Sequence, residues 1–253
     1  DRQHVARALG FDGVTSNSLD AVGARDHMLE LLAACAIAQV GLSRLAEEFV
    51  LWSSQEFAFC TLSDGYCTGS SMMPQKKNPD MPELVRGKAG RVLGDFVALA
   101  TVVKGLPLAY NKDLQEDKEP LFDAVDTLRD CATVMTGTVA TATFHRQRME
   151  DALRDGFVEA TELADLLVEH GVPFREAHHR VGDLVGDLAA HAQRLIDTTD
   201  QQILKHLQLD PQVVRARFDL EAMIERRQQP GSPAKAYVMQ ALVEAKKRLE
   251  QAL

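Results

Sequence analysis

The chain has 253 residues, of which 45% are hydrophobic and 26% charged, so it can bury a sizeable core and is not intrinsically disordered. Its 37 acidic residues outnumber 28 lysines and arginines, and the formal net charge is -9. This balance argues against a general nucleic-acid-binding protein, which needs a basic face, but is compatible with a local pocket for a small anion.

The chain carries no pattern typical of export or membrane insertion. Its most apolar run, Met28 to Leu42, is interrupted by Glu30 and Gln39, which favours a buried helix. The opening residues do not resemble a signal segment, and the four cysteines fit neither a metal-ligand spacing nor a disulfide framework. We therefore expect a cytoplasmic protein with no metal, no cofactor, and neither a nucleic-acid nor a membrane partner.

Helical patterns dominate the first part of the chain, and long helices are predicted over residues 20–56, 81–103 and 119–141. The third contains an apolar seam with alternating steps of four and three residues: Leu121, Val125, Leu128, Ala132, Met135 and Val139. Such seams pack against other long helices, so a helix bundle is predicted. The seam and the apolar run at 28–42 also exceed what one incomplete bundle can cover, which indicates an oligomer.

The pattern changes after about residue 145. Shorter helices are predicted there, over residues 147–154, 158–170, 175–196, 200–207, 210–217 and 234–252. We therefore predict an all-α protein with two domains. Residues 1–144 form a central helical-bundle domain that is incomplete at its N-terminus, and residues 145–253 form a small helical domain.

Polar residues concentrate in two irregular segments, 57–80 and 104–118, and loops on a rigid scaffold commonly carry chemistry. The most informative string is Thr68 to Asp80, TGSSMMPQKKNPD. Its two serines offer hydroxyls and N–H donors, Lys76 adds positive charge, and Asn78 can hold a carboxylate. The string therefore suits a carboxylate-rich substrate, whereas the P-loop and nucleophile-elbow motifs are absent from the sequence.

The loop pattern Gly-Ser-Ser-x-Met-Pro-x-Lys-x-Asn-Pro at residues 69–79 resembles the signature loop of the fumarase/aspartase superfamily of lyases. Residues 17–22, 75–80 and 105–123 resemble the argininosuccinate lyase family in particular. That resemblance implies β-elimination of argininosuccinate to arginine and fumarate, in arginine biosynthesis. It also implies a homotetramer whose active sites are shared between protomers.

The resemblance assigns roles residue by residue. Ser70 matches the proposed base, while Lys76 and Asn78 match residues that steady the fumarate half and its developing charge. Glu83 matches a carboxylate that pairs with a catalytic histidine. The remaining matches are assigned to substrate binding: Arg25, Ser71, Tyr110, Gln115 and Lys118.

The histidine of this family's acid–base motif is missing from the chain, because the family places it in a long N-terminal segment. We therefore expect the 253 residues alone to be inactive. Two alternatives remain at this point. One is another lyase of the superfamily, such as an adenylosuccinate lyase, which the segment from Tyr110 to Lys118 disfavours. The other is a non-catalytic relative of the lens-crystallin kind, which the intact loop residues disfavour.

Overall fold

Helices dominate the computed structural model, which describes residues 1–69, 71–73 and 76–252. The predicted all-α fold class is confirmed. The chain divides into two compact units, Asp1–Arg146 and Gln147–Leu253.

The first unit is built on three long helices. Its helices are α1 (Arg2–Leu9), α2 (Ser18–Gly23), α3 (Asp26–Ser53), α4 (Asp80–Lys104) and α5 (Lys118–Thr141). Two-residue strands form small antiparallel ladders, with β1 (Cys60–Thr61) pairing with β4 (Thr143–Phe144) and β2 (Thr68–Gly69) pairing with β3 (Lys77–Asn78). Short 3-10 helices cover Asp64–Tyr66 and Lys112–Asp117.

Two buried clusters fix the directions of the long helices. Leu32, Leu99 and Ala124 pack together, which joins the start of α3, the end of α4 and the start of α5. At the opposite end, a second cluster contains Phe49, Val85 and Met135. Hence α4 runs antiparallel to α3 and to α5, whereas α3 and α5 run parallel to each other. The sequence pattern also predicts that the three long helices pack roughly antiparallel, and the structure shows this only for the two pairs that include α4.

The helix predicted over residues 20–56 is interrupted at Ala24 and Arg25. Asn17 caps α2 by accepting a 2.9 Å hydrogen bond from the Leu19 N–H, and α2 ends at Gly23. A Cβ at residue 23 would lie only 2.7 Å from the carbonyl oxygen of Ala109. Glycine at this position therefore allows the loop after α4 to lie against α2, and a new helix starts at Asp26.

The second unit has its own core, which includes Leu163, Leu184 and Ile203. Its helices are α6 (Arg146–Asp155), α7 (Ala160–Glu169), α8 (Phe174–Ala190), α9 (Asp200–His206), α10 (Pro211–Arg215), α11 (Leu220–Glu225) and α12 (Lys235–Ala252). The helix predicted to reach residue 196 ends at Ala190, since Ala192 has a left-handed φ of 51°. Helix α11, capped by the Asp219 side chain, was not predicted.

Helix α3 is long and apolar enough to cross a membrane, judged by length and composition alone. One such helix is weak support for a membrane span, because core helices of water-soluble proteins meet the same criteria. In this fold α3 packs against α4 and α5.

Candidate active site

The stem of the signature loop is a short β-ladder. Thr68 lies opposite Asn78 and Gly69 opposite Lys77. The Thr68 hydroxyl donates a hydrogen bond to the Asp80 carboxylate, at the start of α4. Strands on both sides of the loop are therefore fixed to each other and to α4.

The predicted base, Ser70, lies outside the described residues, together with Pro74 and Gln75. Ser71 is described and is exposed. The role given to Ser70 thus stays a prediction, and the geometry of the site rests on the residues around it.

Lys76 and Glu83, two of the predicted catalytic residues, line the same cavity of about 810 Å³. The cavity lies between the end of α3 and the stem of the loop, and its wall also includes Thr61, Cys67 and Lys77. Asn78 is half-buried in β3, next to Lys77. A cavity with two lysines and one carboxylate can hold an anionic substrate beside a group that binds or transfers a proton.

His145 contacts Thr61, a residue of the cavity wall, and sequence reasoning did not predict this contact. Its Nε2 lies 2.7 Å from the Thr61 hydroxyl, and its backbone N–H donates a 2.8 Å hydrogen bond to the Phe59 carbonyl. Thr61 and His145 are 84 residues apart in sequence, and the pairing of β1 with β4 brings them together.

Burial raises the pKa of the nearby Cys67 thiol, and Lys77 only partly opposes that effect. Cys67 therefore stays protonated at neutral pH. Its sulfhydryl donates a 3.3 Å hydrogen bond to the Ser63 carbonyl, which fits a structural thiol rather than a nucleophile.

A second group of predicted site residues surrounds a buried carboxylate, Asp117. Arg25 Nε donates to Asp117 Oδ2 at 2.5 Å, and Lys118 Nζ donates to Asp117 Oδ1 at 2.7 Å. The Asp117 side chain is 1% exposed, whereas that of Lys118 is 60% exposed. Sequence reasoning missed Asp117, although it stands directly before Lys118.

Two opposing effects act on the pKa of Asp117. Burial favours the neutral acid and acts to raise this pKa, but the hydrogen bonds and charges of Lys118 and Arg25 outweigh it and hold the pKa below its ordinary value. Asp117 is therefore ionised at neutral pH. Its charge orients Arg25, while the Lys118 ammonium stays accessible to a ligand.

Tyr110 and Gln115 lie on the same side of the bundle as this group. Both are exposed, Tyr110 in the loop after α4 and Gln115 in the 3-10 helix before α5. The preceding Ala109 has a φ of 74° and donates its N–H to the Leu19 carbonyl at 3.2 Å. This contact with α2 fixes the loop that presents the Tyr110 ring.

The two groups lie at opposite ends of the bundle. Lys76, Asn78 and Glu83 lie at the start of α4, whereas Arg25 and Lys118 lie near its end, beside the starts of α3 and α5. With 25 residues, α4 is about 37 Å long. One copy of the chain therefore does not bring all of the predicted site residues together.

Within the described ranges, no cluster of three or more His, Cys, Asp or Glu side chains has the arrangement of a metal site.

Comparison with known families gives two matches. The family described as "Lyase" matches residues 1–94, and the family described as "Argininosuccinate lyase C-terminal" matches residues 157–225.

Curated relatives named argininosuccinate lyase align with nearly the whole chain. The relative from Symbiobacterium thermophilum is 52% identical over 242 residues, which are 96% of this chain and 52% of that protein. The relative from Anaeromyxobacter dehalogenans is 51% identical, over 100% of this chain and 53% of that protein. The relative from Pelotomaculum thermopropionicum is 50% identical, over 99% of this chain and 55% of that protein. The chain thus spans about half the length of the curated relatives that it matches.

Solved structures give the same picture of the fold. An EDDS lyase in complex with formate superposes with a TM-score of 0.90 at 28% identity, covering 99% of this chain and 52% of that chain. A class II fumarase from Schistosoma mansoni gives a TM-score of 0.66 at 17% identity over 83% of this chain and 45% of that one, a likeness of fold alone. The loop motif, both family matches and the relatives near 50% identity agree: nearly the whole chain matches argininosuccinate lyases, over about half of their length.

Proposed function

We propose that the full-length form of this protein is an argininosuccinate lyase, which eliminates fumarate from argininosuccinate and leaves arginine. The observation that carries the proposal is the cavity shared by Lys76 and Glu83 at the signature loop. It occurs in a chain about half identical to relatives named argininosuccinate lyase. The alternatives, adenylosuccinate cleavage and a structural crystallin-like role, have no comparable support.

The chemistry of the elimination requires positive charge near the loop. Removing a proton beside a carboxylate builds a dianionic intermediate, so cationic and N–H groups must already point at it. We assign this role to Lys76 and Asn78, and the role of base to Ser70, whose hydroxyl needs a nearby positive charge to become basic. Glu83 is assigned to orient the histidine that the family supplies from another part of the protein.

Substrate binding is assigned to the opposite end of the bundle. Lys118 offers an exposed ammonium for a substrate carboxylate, and Asp117 keeps Arg25 oriented beside it. Tyr110 and Gln115 are proposed as further substrate contacts at this end, and Ser71 as a contact at the signature loop.

Because these groups lie about one helix length apart, we propose that a complete site combines protomers of a homotetramer. Large apolar side chains on the long helices support an interface, since Ile37, Val97 and Phe122 are exposed by 75%, 57% and 62%. We further propose that the assembly is cytoplasmic and binds neither nucleic acid nor membrane.

A fumarate-release assay on the full-length protein tests the proposal. Argininosuccinate should release fumarate, and adenylosuccinate should not. Turnover of adenylosuccinate alone would support the other lyase, whereas a folded protein that turns over neither substrate would support the structural relative. Light scattering on the same sample should give the mass of a tetramer, and a monomer would contradict the shared-site proposal.

A further inference from the structure

The ring of Tyr66 lies directly on the backbone of α5 at Gly137. A Cβ at residue 137 would overlap the Tyr66 hydroxyl and would lie 2.9 Å from its Cε1. Contacts below 3.0 Å are not tolerated by real side chains, and an aromatic ring moves as one rigid body. The ring can therefore occupy this position only if residue 137 has no side chain.

Tyr66 leads directly into the stem of the signature loop. It ends the 3-10 helix Asp64–Tyr66, in which its N–H donates a 2.9 Å hydrogen bond to the Ser63 carbonyl. Two residues later, Thr68 begins the strand that pairs with Lys77–Asn78. The Lys77 ammonium also forms an ion pair with Asp64, at the other end of the 3-10 helix. The 3-10 helix thus contacts the loop stem on one side and α5 on the other.

We propose that Gly137 is a positioning residue for the lyase reaction. By allowing Tyr66 to pack on α5, it fixes the 3-10 helix and therefore the strand pair that places Lys77, and Lys76 beside it, at the cavity. The inference rests on the proposed function, because the consequence of a shifted stem is measured as catalysis. Its structural part, the packing of Tyr66 on Gly137, is measured separately.

The test is Gly137→Ala in the full-length enzyme. The new Cβ should displace the ring and shift the stem, and a shift of about 1 Å at reacting groups can cost up to about 100-fold in rate. We expect kcat to fall by about 10- to 100-fold, with a much smaller change in KM. Alanine has a higher helix propensity than glycine, so the melting temperature should not fall together with kcat. Gly182→Ala on α8 is the matched control, because a Cβ there meets nothing within 4 Å.

Substitutions of Tyr66 separate positioning from general destabilisation. Tyr66→Phe keeps the ring on Gly137 and should retain activity, whereas Tyr66→Ala should lower kcat as Gly137→Ala does. The double variant should be no worse than either single variant, because both changes remove the same contact. Additive losses, or a normal kcat for Gly137→Ala, would overturn the proposal.

Labelling of Cys67 by iodoacetamide, located by peptide mapping, gives a readout that does not depend on activity. Cys67 follows Tyr66 and is half-buried. Its labelling should be several-fold faster in Gly137→Ala and unchanged in Gly182→Ala. If the wild-type enzyme released no fumarate, the proposed function would fail, yet faster labelling would still support the packing of Tyr66 on Gly137. Unchanged labelling would overturn that packing whatever the activity.

Discussion

Arg25 and Asp117, 92 residues apart in sequence, are joined by a hydrogen bond of 2.5 Å between the guanidinium Nε and a buried carboxylate oxygen. The same carboxylate also accepts a hydrogen bond from Lys118. Two cations that the sequence presents as separate substrate contacts are therefore organised by one anion. This anion also connects the start of α3 to the start of α5.

Replacing Asp117 should test how much this anion contributes to stability. Asp117→Asn leaves Arg25 largely buried without its charge partner, and breaking a buried pair costs about 3–5 kcal/mol. Urea unfolding of the variant should therefore give a markedly lower midpoint with an unchanged m-value. As a control, Asp126→Asn removes an exposed partner of Arg129 and should have little effect. Equal midpoints for the two variants would contradict the assignment.

The contribution of this pair to the stability of the folded protein should depend on pH. The pKa of Asp117 in the folded protein is lower than its ordinary value of 3.8, so the unfolded chain binds the proton more readily. The stabilisation by Asp117 is therefore complete above about pH 4 and is lost as the pH falls through the folded pKa. The stability difference between the wild type and Asp117→Asn should shrink in acid, as measured by urea unfolding at several pH values. A difference that stayed constant down to pH 2 would contradict this prediction.

The contribution of Asp95 to stability should depend on pH in the opposite direction. Burial, followed by the charge of the neighbouring Asp123, raises its pKa to about 6, and Arg91 only partly offsets this. Between about pH 4 and 6 the folded protein binds the extra proton, so stability falls as the pH rises and the full penalty remains above pH 6.

Asp95→Asn should therefore stabilise the protein at pH 7 by about 1 kcal/mol, a value reduced for solvent screening. The gain should vanish near pH 4, where the wild-type carboxyl is protonated in both states. Thermal unfolding at pH 7 and pH 4 measures both effects, with Asp130→Asn as a control on the exposed surface of α5. A variant less stable than the wild type at pH 7 would show that Asp95 makes a favourable charge interaction.

The loop residues should separate transition-state from ground-state effects. Ser70→Ala in the full-length enzyme should lower kcat by several decades with little change in substrate binding, because a base acts only in the transition state. Lys76→Met should lower kcat and also weaken binding, since its charge attracts the substrate throughout. Lys246→Met, on exposed α12, is the control for loss of one lysine. Near-normal turnover in Ser70→Ala would exclude Ser70 as the base and make Ser71, or a water held by the family's histidine, the next candidate.

The long helices were predictable because their burial follows from local periodicity. Helices α4 and α5 lie within one residue of the predicted ranges, 81–103 and 119–141. The break at Arg25 was not predictable, since it depends on the Ala109 carbonyl approaching Gly23 from a loop more than 80 residues later. For the same reason Asp117 and His145 were missed, because each acquires its partner only through tertiary packing. Lys76 and Glu83, both assigned to catalysis from the resemblance, line one cavity, and their catalytic roles stay predictions.

The separation of Lys76 from Lys118 along the bundle makes a prediction about mixed oligomers. If each complete site takes the signature loop from one protomer and the Lys118 region from another, two inactive variants can complement each other. Lys76→Met and Lys118→Met homotetramers should each be strongly impaired. In a tetramer assembled at random from equal amounts of both, about a quarter of the sites combine two unaltered groups.

Co-expression of the two full-length variants should therefore restore about a quarter of wild-type fumarate release, although neither variant alone is active. Refolding the two purified variants together should give the same recovery, whereas mixing them without refolding should not, because protomers of the proposed tetramer have to dissociate before they can combine. Two variants altered at the same end, Lys76→Met and Glu83→Gln, are the matched control and should not complement, since every site then receives an altered loop region. If Lys76→Met and Lys118→Met gave no more activity together than apart, both groups would have to act within one protomer, and the shared-site proposal would be wrong.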